Sequence, residues 1–217
     1  MLRKTGIVMA AVFLLSCIGV SQESRFDVSL NGGAVLSRQS EGNGTVLTPT
    51  NSALVLVTGR YRFSERSSVE VNYGHTANSQ IYFASPLTYR VKNTIGEYSG
   101  AYVFSFFHSK RVEPFVFAGA AALLFYPGYS LNTVNDVQTY IPASQQTKPA
   151  FLYGGGLDYR LFSQVPLIRR SNLTNHLALR LQYRGLLYKA PDFKVQNLFT
   201  GDRGHMAEPT IGVVVKF

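Results

Sequence analysis

The side chains best suited to catalysis or metal binding in this chain are four histidines, His75, His108, His176 and His205. Their spacing matches neither a metal-ligand set nor a nucleophile with its base, both of which need characteristic intervals. His205 stands near Asp202 and Glu208 in the sequence, a weak metal-like grouping, and we interpret the three as solvated loop residues. The histidines therefore predict no catalytic residue, no metal site and no cofactor.

A run of three glycines at positions 154–156 invites comparison with a phosphate-binding loop. Such a loop needs a following helix and a Gly-Lys-Ser/Thr ending, and the sequence has neither at this place. The run lies inside an alternating apolar stretch, where glycine relieves crowding between neighbouring side chains. We therefore predict a packing role for the glycines and no nucleotide site.

Charged side chains at alternate positions of otherwise apolar stretches form a second reactive set. The acids are Asp27, Glu70, Glu97 and Asp158, and the bases are Arg60, Arg62, Arg160, Arg180, Arg184 and Lys216. If the stretches are strands, these charges lie on the face opposite a strip of Leu, Val, Phe and Tyr. Because an isolated buried charge is very costly, charges enclosed by such strands must pair. We predict an internal ion-pair network of Glu70, Glu97 and Asp158 with Arg60, Arg160, Arg180 and Arg184, in which Asp158 and Glu97 chiefly meet Arg160, Arg180 and Arg184.

Eight strand-like segments position these charges, over residues 25–37, 52–63, 68–77, 91–106, 113–126, 149–162, 176–188 and 209–217. The connections 38–51, 78–90, 128–147 and 189–205 are long, 64–67 and 108–111 are short, and 163–175 is intermediate. This alternation is typical of an antiparallel up-and-down transmembrane β-barrel with short turns at one membrane face and long loops at the other.

The apolar face of each segment is predicted to contact lipid. In the fifth segment this assigns Phe115, Phe117, Leu123 and Phe125 to the outside and the alanines at 118, 120 and 122 to the inside. Aromatic residues near strand ends are expected to form girdles at the two membrane interfaces. The predicted girdle residues are Phe63, Tyr73, Phe106, Phe125, Tyr126, Phe162, Tyr188 and Phe217.

The composition narrows the fold class. The chain has 217 residues, enough for one domain, with 13 Tyr, 15 Phe and no Trp. Charged residues make up 15% of it, against about a quarter in soluble domains. A secreted β-sandwich shares these features, but it has no reason to sort its connections by length. Since hydrocarbon cannot satisfy open backbone groups, a sheet in a membrane must be closed. We therefore predict an all-β, eight-stranded antiparallel barrel.

The formal net charge of +9 raises the question of acidic partners. The bases are spread over strands and loops without a basic arm or helix, so nucleic-acid binding is not predicted. Attraction to acidic lipopolysaccharide at a cell surface is the better physical interpretation.

Residues 1–21 are predicted to be a cleaved signal peptide, with the barrel domain spanning 22–217. Arg3 and Lys4 precede an apolar run that is too short for a membrane helix, and small residues precede the cleavage point between Ser21 and Gln22. The box ending at Cys17 leaves open a second possibility, lipoprotein processing with lipid on that cysteine.

The last nine residues, PTIGVVVKF, alternate with a period of two back from the terminal aromatic residue. This ending resembles the closing strand of bacterial outer-membrane barrels, in which Phe217, Val215 and Val213 would serve as the assembly signal for the barrel assembly machinery. With GGGLDYRL and LRLQYRGLLY in the two preceding strands, the chain resembles the small eight-stranded outer-membrane β-barrel family, OmpA-like or OmpX-like in architecture. The resemblance implies an integral outer-membrane protein of a Gram-negative bacterium, in contact with outer-membrane lipid and expected to be a monomer.

The expected function is a structural, adhesive or interaction role at the cell surface, through four outer loops and an unknown surface ligand. No pore is expected, because a barrel of eight strands is only wide enough to be filled by its own side chains. Two alternatives stay open, a narrow channel and a lipid A-modifying enzyme. The enzyme would require a histidine and a serine at the outer rim of a late strand, and LRLQYRGLLY contains neither.

Overall fold

The computed structural model describes residues 25–107, 111–128, 132–160 and 177–217. The predicted signal peptide, Cys17, His108, His176 and Phe162 lie outside the described residues.

Twelve strands and one short 3₁₀ helix make up the described chain. The strands are β1 (Phe26–Ser37), β2 (Ser40–Gly42), β3 (Thr45–Pro49), β4 (Ser52–Arg62), β5 (Ser67–Ala84), β6 (Leu87–Ser105), β7 (Val112–Pro127), β8 (Thr133–Val134), β9 (Val137–Gln138), β10 (Gln146–Tyr159), β11 (Leu177–Lys189) and β12 (Arg203–Lys216), and the helix is Gln196–Leu198. In the part of the chain that the structure describes, no helix is long and apolar enough to cross a membrane.

Eight of these strands form a closed antiparallel wall. Going around it, β1, β4, β5, β6, β7, β10, β11 and β12 each pair with the next, and β12 pairs back with β1. Closure leaves the wall without an open edge, so its backbone groups are satisfied within the sheet. The predicted eight-stranded antiparallel barrel is confirmed.

The two ends of the barrel differ. Phe26 and Phe217 pair at the end that we call the terminal end, where the short turn 63–66 also lies. At the opposite end, the far end, β5 and β6 continue well beyond the wall as strands of 18 and 19 residues. β3 pairs with the top of β5, and β8 with the top of β6. Together with β2 and β9 they form a small sheet, the far-end sheet.

The far-end sheet corrects the prediction of a loop over 78–90. The structure has a continuous hairpin there, with Ala84 opposite Leu87. The alternating pattern persists past the barrel because the hairpin has neighbours on both sides and a face to bury. The predicted loops 38–51 and 128–147 likewise contain short hairpins, formed by β2 with β3 and by β8 with β9.

For most strands the structure agrees with the predicted orientation, in which the apolar face points outward and the charged face points into the lumen. Arg180 and Arg184 are fully buried in the lumen, whereas Leu181 on the same strand is 47% exposed on the outside. Ile211 and Val213 of β12 are likewise exposed on the outer face. The outer surface is thus apolar and the polar face is enclosed.

For β7 the predicted sidedness is wrong. Phe115, Phe117, Leu123 and Phe125 are at most 5% exposed and point into the lumen, while the outside is formed by residues such as Val116 at 41% exposure. Both faces of this strand are apolar, so hydrophobicity alone could not assign them. The girdle prediction fails for the same reason at Phe125 and also at Tyr188, which are both buried inside the barrel. The remaining described girdle residues with large exposure on the outer face are Phe63, Tyr73, Phe106 and Tyr126.

Candidate functional site: the filled lumen and its far-end plug

Near the terminal end, the lumen holds a continuous ion-pair network, which we call the lower network. Its centre is the Asp158 carboxylate, which accepts two hydrogen bonds from Arg180, at 2.7 Å from Nε and 2.8 Å from Nη2. This bidentate geometry is the strongest arrangement for an arginine and a carboxylate. Arg60 Nη1 and Lys216 Nζ each lie 3.8 Å from the same carboxylate. Asp158 is therefore surrounded by three cations.

The other acids of the lower network neutralise those cations. Further ion pairs join Arg180 to Asp27 at 3.3 Å, Arg60 to Glu70 at 3.0 Å, Lys216 to Glu113 at 2.9 Å and Arg62 to Glu113 at 2.6 Å. The network thus contains four carboxylates and four cations. Such balance is what makes enclosing the charges tolerable, since each lone charge would carry a large desolvation penalty.

Above the lower network, Arg184 bridges two further acids. Its guanidinium contacts Glu97 from Nη2 and lies 3.1 Å from the carboxylate of Glu208 through Nη1. Ser99 accepts another hydrogen bond from Nη2 at 3.1 Å. Gly74 leaves room for the Glu97 carboxylate, because a Cβ there would lie 3.2 Å from its Oε2 atom. The charges of the lumen are therefore arranged at two levels.

Two phenylalanine rings of β7 fill the space beside the lower network. The guanidinium of Arg60 lies 4.3 Å from the ring centroid of Phe115, a cation–π contact. The rings of Phe115 and Phe117 rest on Gly156 and Gly154, where an added Cβ would lie 2.6 Å and 2.5 Å from ring carbons. The glycines at 154 and 156 thus leave space for these two rings, in agreement with the predicted packing role of the glycine run.

Of the seven predicted network residues, the structure brings six into ion pairs: Glu70, Glu97, Asp158, Arg60, Arg180 and Arg184. Arg160 follows the last residue of β10 and is half-buried, and the ion pairs among the described residues do not include it. Sequence reasoning missed Glu113 and Glu208. Glu113 shares the face of Phe115, which was assigned to lipid, and Glu208 was placed in a loop, although counting back from Phe217 puts it on the inner face.

Toward the far end, the lumen changes from charged to apolar. Side chains from all around the wall form a continuous buried cluster there, including Val35, Leu54, Leu56, Ile95, Leu123, Phe125, Leu152, Leu186, Tyr188 and Met206. This half of the barrel is packed like a protein core.

The segment 190–202 closes the far end, and we call it the far-end plug. Its Phe193 and Leu198 are fully buried. The ring of Phe193 packs edge-on against Tyr82 of the far-end sheet and Phe125 of the wall, with centroids 6.3 Å and 6.4 Å apart. Tyr82 donates a hydrogen bond to the carbonyl of Pro191 at 2.7 Å. Burial raises the pKa of the Tyr82 hydroxyl, so it remains a donor at neutral pH.

A polar anchor holds the plug to β10. The side-chain amide of Gln146 donates to the carboxylate of Asp192, and its oxygen accepts from the Asp192 backbone N–H at 3.2 Å. Partial burial alone would raise the pKa of Asp192, but the bond from Gln146, the backbone N–H of Lys194 and the nearby Lys148 together lower it. The ionised carboxylate of Asp192 is therefore the form that anchors the plug to Gln146 of β10.

Comparisons with known proteins rest on structure alone, because no protein-family model and no curated protein sequence matches the chain. Neisserial surface protein A (NspA) superposes with a TM-score of 0.54 and 16% identity, over 91% of this chain and all of that one. OprG from Pseudomonas aeruginosa superposes with a TM-score of 0.53 and 12% identity, over 92% and 99% of the two chains. The fold is that of the small outer-membrane β-barrels. At these identities the likeness establishes the architecture, and any activity must be argued from this chain's own residues.

Within this outer-membrane barrel fold, the two described histidines lie in β5 and β12. His75 is exposed on the outer face of β5. His205 lies at the far end of β12, where its Nε2 is 3.0 Å from the hydroxyl of Tyr153 and the two rings stack. Tyr153 in turn covers Gly185, at which a Cβ would lie 2.4 Å from the ring. The described residues contain no group of three or more His, Cys, Asp or Glu side chains able to hold a metal ion.

At the terminal end of this barrel, Phe217 is held by the first strand. Its N–H donates to the carbonyl of Phe26 at 2.7 Å, and the two rings lie 6.4 Å apart on the outside. Val213 and Val215 pair with Leu30 and Val28. The proposed assembly signal therefore lies on the seam that closes the barrel.

Proposed function

We propose that this protein is an integral outer-membrane barrel with its terminal end in the periplasm and its far-end sheet on the cell surface. An outer surface of exposed Leu, Val, Ile and aromatic side chains supports this placement, because such a surface is stable only against lipid. The likeness in fold to NspA and OprG supports it further.

The filled lumen favours an interaction role over transport. Arg60, Arg180 and Arg184 are at most 1% exposed within the wall, and the plug residues Phe193 and Leu198 are fully buried above them. A conducting path would have to break the balanced ion pairs and displace the plug, at a cost of several kcal/mol for each unpaired buried charge (roughly 3–5 kcal/mol). The sealed interior is the single observation that carries the proposal.

The far-end sheet is the part of the molecule that supports a surface role. β5 and β6 hold it rigidly on the wall, and it presents exposed apolar side chains beyond the membrane. Val137 of β9 is 67% exposed and Phe83 of β5 is 49% exposed, and Tyr140, two residues after β9, is 71% exposed. Exposed aromatic and aliphatic groups at the end of a rigid support are typical of surfaces that bind another molecule. We propose that this sheet meets the surface ligand.

Protease treatment of intact cells tests the location and orientation. With one epitope tag inserted between Asn135 and Asp136 and, in a second variant, one between Glu65 and Arg66, only the first should be removed from whole cells. Both tags should be removed after the outer membrane is permeabilised. Removal of the second tag from intact cells would reverse the proposed orientation, and recovery of the protein in the soluble fraction would overturn the placement.

Electrical recording tests the sealed lumen. The purified protein in planar bilayers should show no unitary current steps. A variant with Phe193→Ala and Leu198→Ala serves as the control, since it removes the plug side chains while leaving the wall intact. Reproducible steps from the unmodified protein would favour the narrow channel instead.

A further inference from the structure

On the outer face of the wall, three cations meet at the far end of the β1–β12–β11 seam. Lys189 is the cross-strand partner of Arg203, and the N–H of Arg38 bonds to the carbonyl of His205, two residues along β12. All three cationic side chains are exposed. The ion pairs among the described residues include none of the three. This cluster is therefore open to an external anion.

Directly below the cations, the wall is apolar. A cleft of about 570 Å³ is lined by Lys189 and Arg203 together with Phe151 and Leu187, which are neighbours across β10 and β11. Phe151 is 54% exposed and Leu187 is 40% exposed. One cleft thus combines two cations with a strip of exposed hydrocarbon.

Other groups near the cleft leave the cations available. Asp202 also lines it, and its carboxylate accepts a hydrogen bond from the backbone N–H of Glu41 at 3.4 Å. Lys189 Nζ lies 5.8 Å from the ring centroid of Phe199, a contact that leaves its three donors free to bind an anion. The balance of charge in and beside the cleft remains positive.

The height of the cleft matches the outer edge of a membrane. A strand tilted by about 40° advances about 2.6 Å per residue along the barrel axis. Arg203 precedes Phe217 by 14 residues, which places it about 36 Å above that terminal aromatic, whereas the apolar band of such barrels is about 25 Å tall. The cations therefore lie about 11 Å beyond the band, at the level of the head groups, since a bilayer with its head-group layers is about 40–45 Å thick. Their long side chains reach back along the wall toward the acyl chains.

We propose that Lys189 and Arg203, with Arg38 beside them, bind the phosphate of a phosphorylated glycolipid of the outer leaflet, while an acyl chain lies along Phe151 and Leu187. A guanidinium matches a phosphate with two parallel donors, and an ammonium beside it adds a point charge. The inference rests on the proposed outer-membrane location, because only that leaflet presents such a lipid at this height.

Lipid binding to the refolded protein tests the proposal. The barrel is placed in phosphatidylcholine nanodiscs with a small fraction of lipid A that carries its two phosphates, or with the same lipid after phosphatase treatment, and retained lipid is counted by native mass spectrometry. The double variant Lys189→Gln/Arg203→Gln should bind the phosphorylated lipid about thirtyfold more weakly, from two lost cation contacts. The matched control Arg90→Gln/Lys92→Gln, with the same charge change on exposed β6 residues, should bind like the unmodified protein.

The outcomes separate this inference from the proposed function. Equal retention of phosphorylated and dephosphorylated lipid by the unmodified protein would overturn the phosphate site, and so would equal weakening in both double variants. If the folded barrel does not enter nanodiscs at all, the membrane location itself is wrong. Selective retention that is lost only in Lys189→Gln/Arg203→Gln supports the site.

Discussion

Removal of the Arg180 guanidinium is the sharpest test of the charged lumen. Arg180→Met keeps most of the side-chain volume but deletes both hydrogen bonds to Asp158 and the contact with Asp27. The lower network would then hold four carboxylates and three cations, in a site that is buried from bulk solvent. Breaking a buried pair from one side costs about 3–5 kcal/mol, because it leaves an uncompensated charge. We expect a loss of that size in the free energy of unfolding.

A double-mutant cycle distinguishes the ion pair from simple loss of packing. Asp158→Asn alone should also destabilise the barrel, because it removes the acid that balances Arg180, Arg60 and Lys216. The double variant restores equal numbers of acids and cations, so its loss should be smaller than the sum of the two single losses by about 2–3 kcal/mol. Arg66→Met, in an exposed turn, is the matched control and should change stability by less than about 0.5 kcal/mol.

The assay is urea unfolding in detergent micelles, followed by circular dichroism and by the gel mobility of unheated samples. The chain contains no tryptophan, so intrinsic tryptophan fluorescence cannot be used. Single-variant losses below about 1 kcal/mol, or additive losses in the double variant, would show that Arg180 and Asp158 are solvated or paired with other groups. Either result would refute the interpretation of the lumen as a dry, balanced network.

Four further predictions follow from the packing and the plug. Gly154→Ala should destabilise the barrel by about 1–3 kcal/mol, because the added Cβ would clash with the backbone carbonyl of Tyr183 and with the ring of Phe117. Gly32→Ala, with open space around its Cβ position, should be neutral in the same unfolding assay. Phe193→Ala should leave the wall folded but make the plug sensitive to protease, and unchanged protection would contradict its anchoring role. The folded-state pKa of Asp192 is lowered, so its carboxylate stabilises the plug fully at a pH above the ordinary carboxyl pKa. This stabilisation is lost as the pH falls through the folded-state pKa, and the plug should then lose its protection from protease. Asp192→Asn should abolish this dependence of protease protection on pH. Deletion of Phe217 should reduce the amount of folded protein in the outer-membrane fraction, and normal amounts would argue against its role as an assembly signal.

Most of the wall could be predicted from the sequence because a period of two is unambiguous where one face is charged. In β11, Arg180 and Arg184 alternate with leucines, and only one choice of face avoids a charge in lipid. The same reasoning placed Glu70 and Arg60, which the structure pairs across two neighbouring strands. The sequence grouped Glu97 with Arg184, a pair that the structure forms across the lumen. Other pairs across the lumen, such as Arg62 with Glu113, were not predicted, because they depend on the tilt and stagger of strands that are far apart in sequence.

The error at β7 has a specific physical cause. Its inward face carries Phe115 and Phe125 and its outward face carries Ala118 and Val116, so both faces are apolar and hydrophobicity does not separate them. Glu113 could have shown which face of β7 points inward, because a charge on that strand must face the lumen and Glu113 lies on the same face as Phe115. The apolar far-end half of the lumen was not predicted either. The sequence pattern predicted a polar interior along the whole barrel, and the interior is polar in only one half of it.

The two halves of the lumen tolerate different kinds of substitution. The lower network needs equal numbers of acids and cations, so a substitution there is tolerated only together with one that restores the balance. The far-end half needs volume, so it tolerates exchanges among apolar residues of similar size. The far-end sheet is connected to the wall through β5 and β6. Its buried residues Leu47 and Tyr82 belong to the apolar cluster, whereas its exposed side chains lie outside that cluster. Its exposed side chains can therefore vary to suit a ligand while the barrel stays closed, which is the arrangement that a surface interaction protein requires.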